Sequence, residues 1–126
     1  MGIGVPNAQF LMPGVEMKIV KIREALSHLK RINDEIRYSS LVERRGFSAG
    51  LISFRPKKRS DPKQINHPDR DVLCHVLKGR GRLRVNGRRI DLKPGVICHI
   101  PKGTPHDFVA GRKGELVLFY SLIKTG

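Results

Sequence analysis

From residue 72 onward the chain sets apolar and polar positions in short alternating runs separated by turn formers, a pattern that predicts antiparallel strands in a sandwich or barrel. Residues 72–77 are apolar apart from His75 and include the β-branched Val72 and Val76, and residues 82–85 alternate Arg-Leu-Arg-Val. Asn86-Gly87 then supplies the two positive-φ residues of a tight hairpin leading into residues 88–92. Further strands are predicted at residues 96–100, 106–110 and 115–123, divided by a Pro- and Gly-rich bend at 101–105 and a turn at 111–114. Six or seven strands at spacings this short need no parallel crossover.

The first half of the chain reads differently. Residues 1–16 hold Gly2, Gly4, Pro6, Pro13 and Gly14 and predict an irregular leader, with residues 17–126 as one domain. After a short alternating strand from Met17, Ile22, Leu26, Leu29 and Ile36 follow helical spacing and predict one amphipathic helix outside the main body. An apolar strand over residues 47–54 ends at Pro56, and residues 55–65 predict a basic surface loop.

Length and composition narrow the classes. A chain of 126 residues buries a core without needing disulfides. No apolar run is long enough to span a bilayer and the first residues lack a secretory signal pattern, so a soluble, cytoplasmic protein is expected. Cys74 and Cys98 lie in apolar stretches and read as buried thiols, not a bridge. With 25 Lys and Arg against 11 Asp and Glu, the formal charge of +14 draws anionic partners. No zinc-finger, helix-turn-helix or aromatic RNA-binding pattern accompanies the charge, which disfavours nucleic acid, while a polyanion or nucleic-acid binder using the basic surface stays an alternative reading.

Chemistry concentrates in the segment Gly95-Val-Ile-Cys-His-Ile-Pro101-Lys-Gly103-Thr-Pro-His106. It resembles the second motif of the cupin superfamily, G-x5-P-x-G-x2-H-x3-N, with Gly95, Pro101, Gly103 and His106 in place and Ala110 where the motif has Asn. The resemblance implies an all-β fold, a cupin-type double-stranded β-helix or jelly-roll barrel with one short N-terminal helix. It also implies that His106 is delivered into the barrel as a metal or ligand contact.

The first cupin motif, G-x5-H-x-H-x3,4-E-x6-G, is degenerate here. Counting back from Gly79 puts Val72 at the Glu position, with Asn66 and Pro68 at the His positions under the three-residue spacing. A one-residue bulge would instead set His67-x3-Asp71 at the His-to-carboxylate spacing. His106, His67 and Asp71 would then form a two-His, one-carboxylate set suited to a divalent metal such as Fe, Mn, Ni, Zn or Cu. The resemblance equally allows a barrel that has lost its metal and only binds a ligand.

Four further groups enter the reading. If strand parity runs unbroken from Asp71 to Val85, His75 points into the barrel as an additional ligand, whereas a bulge at Gly79-Arg80-Gly81 would turn it out. His99 lies in a strand among apolar neighbours. Arg80, Arg82 and Arg84 form a stripe that either steers anions or serves as a charged outer face that discourages edge pairing. The expected partners are a small, anionic molecule in the barrel and a second copy of the chain in a homodimer, since open barrels leave edge strands.

Overall fold

The computed structural model describes residues 7–12, 15–56 and 67–125. Eleven strands and one short helix occupy them. β1 (Asn7–Met12) and β2 (Val15–Val20) pair as an antiparallel hairpin. α1 (Ile22–Ala25) continues into a 3-10 turn over Leu26–His28, followed by β3 (Lys30–Arg31), β4 (Ile36–Arg44) and β5 (Phe47–Phe54). The second half gives β6 (Arg70–Lys78), β7 (Gly81–Val85), β8 (Arg88–Leu92), β9 (Ile97–Ile100), β10 (His106–Ala110) and β11 (Leu116–Lys124).

Two antiparallel sheets make the barrel. One runs β3-β4-β5-β11-β6-β9 and the other β10-β7-β8. Its core joins them: Phe54, Val72, Cys74, Val76, Leu116 and Leu118 on the large sheet pack with Leu83, Leu92, Phe108 and Ala110 on the small one. The predicted hairpin at Asn86-Gly87 is present, with φ of 50° and 73°. Among the described residues no helix is long and apolar enough to cross a membrane.

Two N-terminal expectations are corrected. Residues 7–12 and 15–16 are strand, not irregular leader. Gly2, Gly4, Pro6, Pro13 and Gly14, which suggested the irregular leader, lie outside the described residues. The helix stops at Ala25 and never reaches Ile36. Four residues cannot sustain a helix without packing, and Lys21 at its start offers no side-chain cap. Downstream, the Asn33 carboxamide oxygen accepts 2.8 Å hydrogen bonds from the N–H groups of Glu35 and Ile36. This Asx turn sends the chain into β4, where Ile36 pairs with Phe54. The basic loop predicted over residues 55–65 lies, beyond Pro56, outside the described residues.

Strand parity decides which side chains reach the barrel interior. On β6 the buried residues are Val72, Cys74 and Val76, while Leu73 and His75 are exposed. On β7 it is Leu83 that is buried, flanked by Arg82 and Arg84. Parity therefore reverses between Val76 and Leu83. The pairing of β6 with β11 slips by one residue between Val117 and Leu118, and Gly79 takes φ of 83°, so an extra residue enters at the end of β6. Unbroken parity would have turned Asp71 and His75 inward; the observed bulge turns that row outward.

Candidate functional site

His106 is placed by its motif. Gly95 adopts φ of 95° and its N–H donates to Val76 O at 3.0 Å, turning the chain into β9. After Pro101 the chain bends through Gly103, at φ of 79°, and the Gly103 N–H donates to the His67 carbonyl at 2.8 Å. β10 starts immediately afterwards and carries His106 into the barrel, where only 3% of the residue is exposed.

The His106 ring is fixed on two sides. Its Nδ1 lies 2.9 Å from the Thr104 carbonyl oxygen. A carbonyl only accepts, so Nδ1 carries the proton and a neutral ring presents a lone pair at Nε2. Phe108, two residues along the same strand, meets the ring edge-on at a centroid distance of 5.8 Å. The ring of His67 stands 5.7 Å away at 34°. The proton affinity of His67 is lowered, first by burial and then by repulsion from His106 in its protonated form and from Arg70, partly offset by Asp69.

Asp71 does not join this pair. Its Oδ2 bonds His99 Nε2 at 2.7 Å, and its Oδ1 accepts from the Lys102 N–H at 3.0 Å and from Thr125 Oγ1 at 3.2 Å. These bonds, that to His99 foremost, hold its carboxyl below the usual aspartate range. The carboxylate thus ties β6 to β9, to the motif bend and to the C-terminal strand end. His75 is on the same exposed row, opposite Ile97.

The register explains the difference. With four residues between them, His67 and Val72 occupy the second His and Glu positions of the first cupin motif, and Val72 is buried in the core. An apolar side chain therefore fills the carboxylate's place. Among the described residues no three His, Cys, Asp or Glu gather in positions to hold a metal. A pair of imidazoles with valine at the carboxylate position of the motif does not fit the three-ligand centre.

The arginine stripe lies on the outer side of the small sheet. Arg84 is paired with Asp107, its cross-strand partner on β10, and Arg82 Nε lies 3.7 Å from Asp91 on β8. Leu83 and not these cations faces the core. Arg80 sits in the exposed turn between β6 and β7.

A thiol pair went unread in the sequence. Cys74 on β6 and Cys98 on β9 are direct cross-strand partners, and both are free. The hydrogen bond between them pushes the buried Cys74 thiol up and brings Cys98 down to about 7. Cys98 is thus more than the inert hydrophobe that its apolar neighbours suggested. Only the pairing of β6 with β9, which a single sequence does not reveal, brings the two together.

Sequence and fold comparisons agree on the family. The description "Cupin domain" matches residues 50–122, more than half of the chain. The protein belongs to the cupin family. This cupin resembles the Schizosaccharomyces pombe Cnp3 cupin domain with a TM-score of 0.70 at 16% identity, over 94% of this chain and 86% of that one. An RmlC-like cupin from Shewanella frigidimarina gives 0.64 at 18% identity, over 77% and 83% of the two chains. A Thermotoga maritima protein described as a predicted oxalate decarboxylase gives 0.67 at 17% identity, over 77% and 92%. No curated protein matches this cupin by sequence.

Proposed function

We propose that this cupin binds a small anionic molecule in its barrel, with His106 and His67 as the recognition groups. The supporting observation is the buried His106 ring, held by the Thr104 carbonyl with Nε2 left for a ligand and a second imidazole 5.7 Å away. The positive field of Arg70 at His67 favours an anion there. A neutral imidazole offers Nε2 only as an acceptor, so a bound anion either donates a hydroxyl proton to it or binds with uptake of one proton. Oxalate, named in the description of the Thermotoga relative, is a small anion of this class.

Calorimetric titration with oxalate, malate and phosphate, in wild type and His106→Ala, tests the reading. Saturable binding that is lost in the variant supports it. Binding of none of the three, or equal binding by both proteins, overturns it.

We further propose that the protein is a homodimer that covers the β9 edge. Among the described residues β9 pairs with β6 alone, and Ile97 on it, opposite His75, is 66% exposed. Sedimentation velocity of wild type and Ile97→Lys decides this. A dimer that becomes monomeric in the variant is expected, and a monomeric wild type at micromolar concentration rules it out.

A further inference from the structure

The end of the small sheet remote from His106 has a character of its own. β10 pairs with β7 from His106 opposite Val85 to Ala110 opposite Gly81, so the far end lies four residues, roughly 13 Å, along the strand. Two clefts of about 720 and 590 Å3 open there, and they adjoin through Arg80, Gly111 and Arg112. Lys78 and Lys113 also line the first, and Arg82 the second.

Charge at these clefts is not internally balanced. Among the described residues Lys78, Arg80, Arg112 and Lys113 make no ion pair, in contrast to Arg84 with its Asp107. Arg82 reaches Asp91 only at 3.7 Å between largely exposed groups, a contact of little worth. Glu115, the acidic group of the lining, accepts the Ser53 hydroxyl.

The framework beneath is stitched closely. The Gly111 N–H donates to Arg80 O at 2.8 Å, joining the turn before β7 to the turn after β10. A side chain at Gly79 would collide with the Glu115 carbonyl, and one at Gly81 with that of Val109. Backbone therefore packs on backbone, and the cations project from a double turn that is already assembled.

We infer that these adjoining clefts bind a compact oligophosphate anion through Lys78, Arg80, Arg82, Arg112 and Lys113. Five cations spread over two clefts suit several linked phosphates better than one carboxylate. The volumes fall in the range of small-molecule sites. Among the described residues no aromatic or amide side chain lines either cleft to stack on or read a base, and an oligophosphate needs neither.

The test is calorimetric titration with inorganic tripolyphosphate at low and moderate salt. It uses wild type, Arg80→Gln/Arg112→Gln, Lys78→Gln/Lys113→Gln and His106→Ala, with thermal melts confirming that each folds. We expect one tripolyphosphate per chain, weakened at least about tenfold in each double variant, unchanged in His106→Ala, and weakened by salt. Unaltered binding in the double variants, loss of binding in His106→Ala, or tighter binding of a single-stranded oligonucleotide than of tripolyphosphate would overturn the inference. Because His106→Ala is the control here and the disabling change for the barrel ligand, the two readings fail separately.

Discussion

Asp71 holds His99 at 2.7 Å on the outer side of the large sheet, and one residue further along the same strand Val72 is buried in the core. A carboxylate and a valine have in effect exchanged the roles that the cupin motif gives these two positions. Substituting Val72→Glu should therefore place a carboxylate beside His67 and His106. Cobalt(II) titration followed by absorbance should show binding at least about tenfold tighter than in wild type. The variant should lose about 3 kcal/mol of stability in the absence of metal, because the new carboxylate is buried. No gain in affinity would mean that the two imidazoles and residue 72 do not converge.

Asp71 itself has a structural task. Its folded carboxyl is held below the ordinary value, so its contribution to stability is present above the unfolded aspartate value and disappears as pH falls through the folded one. Asp71→Asn should melt below wild type at neutral pH, and the gap should close on acidification. A gap that stays constant with pH would show that the ionised form is not what matters.

His67 works in the opposite sense with respect to protons. Burial and nearby positive charge lower its proton affinity in the folded state, so the folded chain binds fewer protons than the unfolded one. Stability is complete above the ordinary histidine value and declines as pH falls from there toward the lowered folded value. An anion near the ring reverses the bias. Affinity for oxalate should therefore rise as pH is lowered from 8 to about 6. Affinity that is flat with pH would exclude proton uptake on binding.

Cys98 is expected to react before Cys74. Alkylation by iodoacetamide, mapped by mass spectrometry, should modify Cys98 with a pH midpoint near 7, while Cys74 stays protected in the folded protein. Cys74→Ser should shift the Cys98 midpoint upward by weakening the thiol hydrogen bond. Equal labelling of both thiols would count against that bond.

The strands of the second half were legible because alternation and turn chemistry there are local. Asn86-Gly87 and the Gly95-to-His106 spacing each carry their geometry within a few residues. His106 could be named for the same reason. The interior row of β6 was left between two parities: the glycines at 79 and 81 marked where a bulge could sit, but whether the extra residue enters is decided by the pairing of β6 with β11. The helical spacing from Ile22 to Ile36 misled because it counted apolar residues and ignored Asn33, whose side chain turns the chain two residues later. Asp71 has the right residue type for a ligand, and only the pairing of β6 with β9 assigns it to His99.

The hydrogen bond from the Gly103 N–H to the His67 carbonyl joins the two imidazole-bearing segments through main chain alone. Neither ring is needed for that joint. Trimming His67 to glycine should then leave a void shaped by the surrounding backbone instead of a collapsed mouth. Such a void invites chemical complementation: free imidazole, added in millimolar amounts, has a prepared berth in which to restore what the side chain supplied.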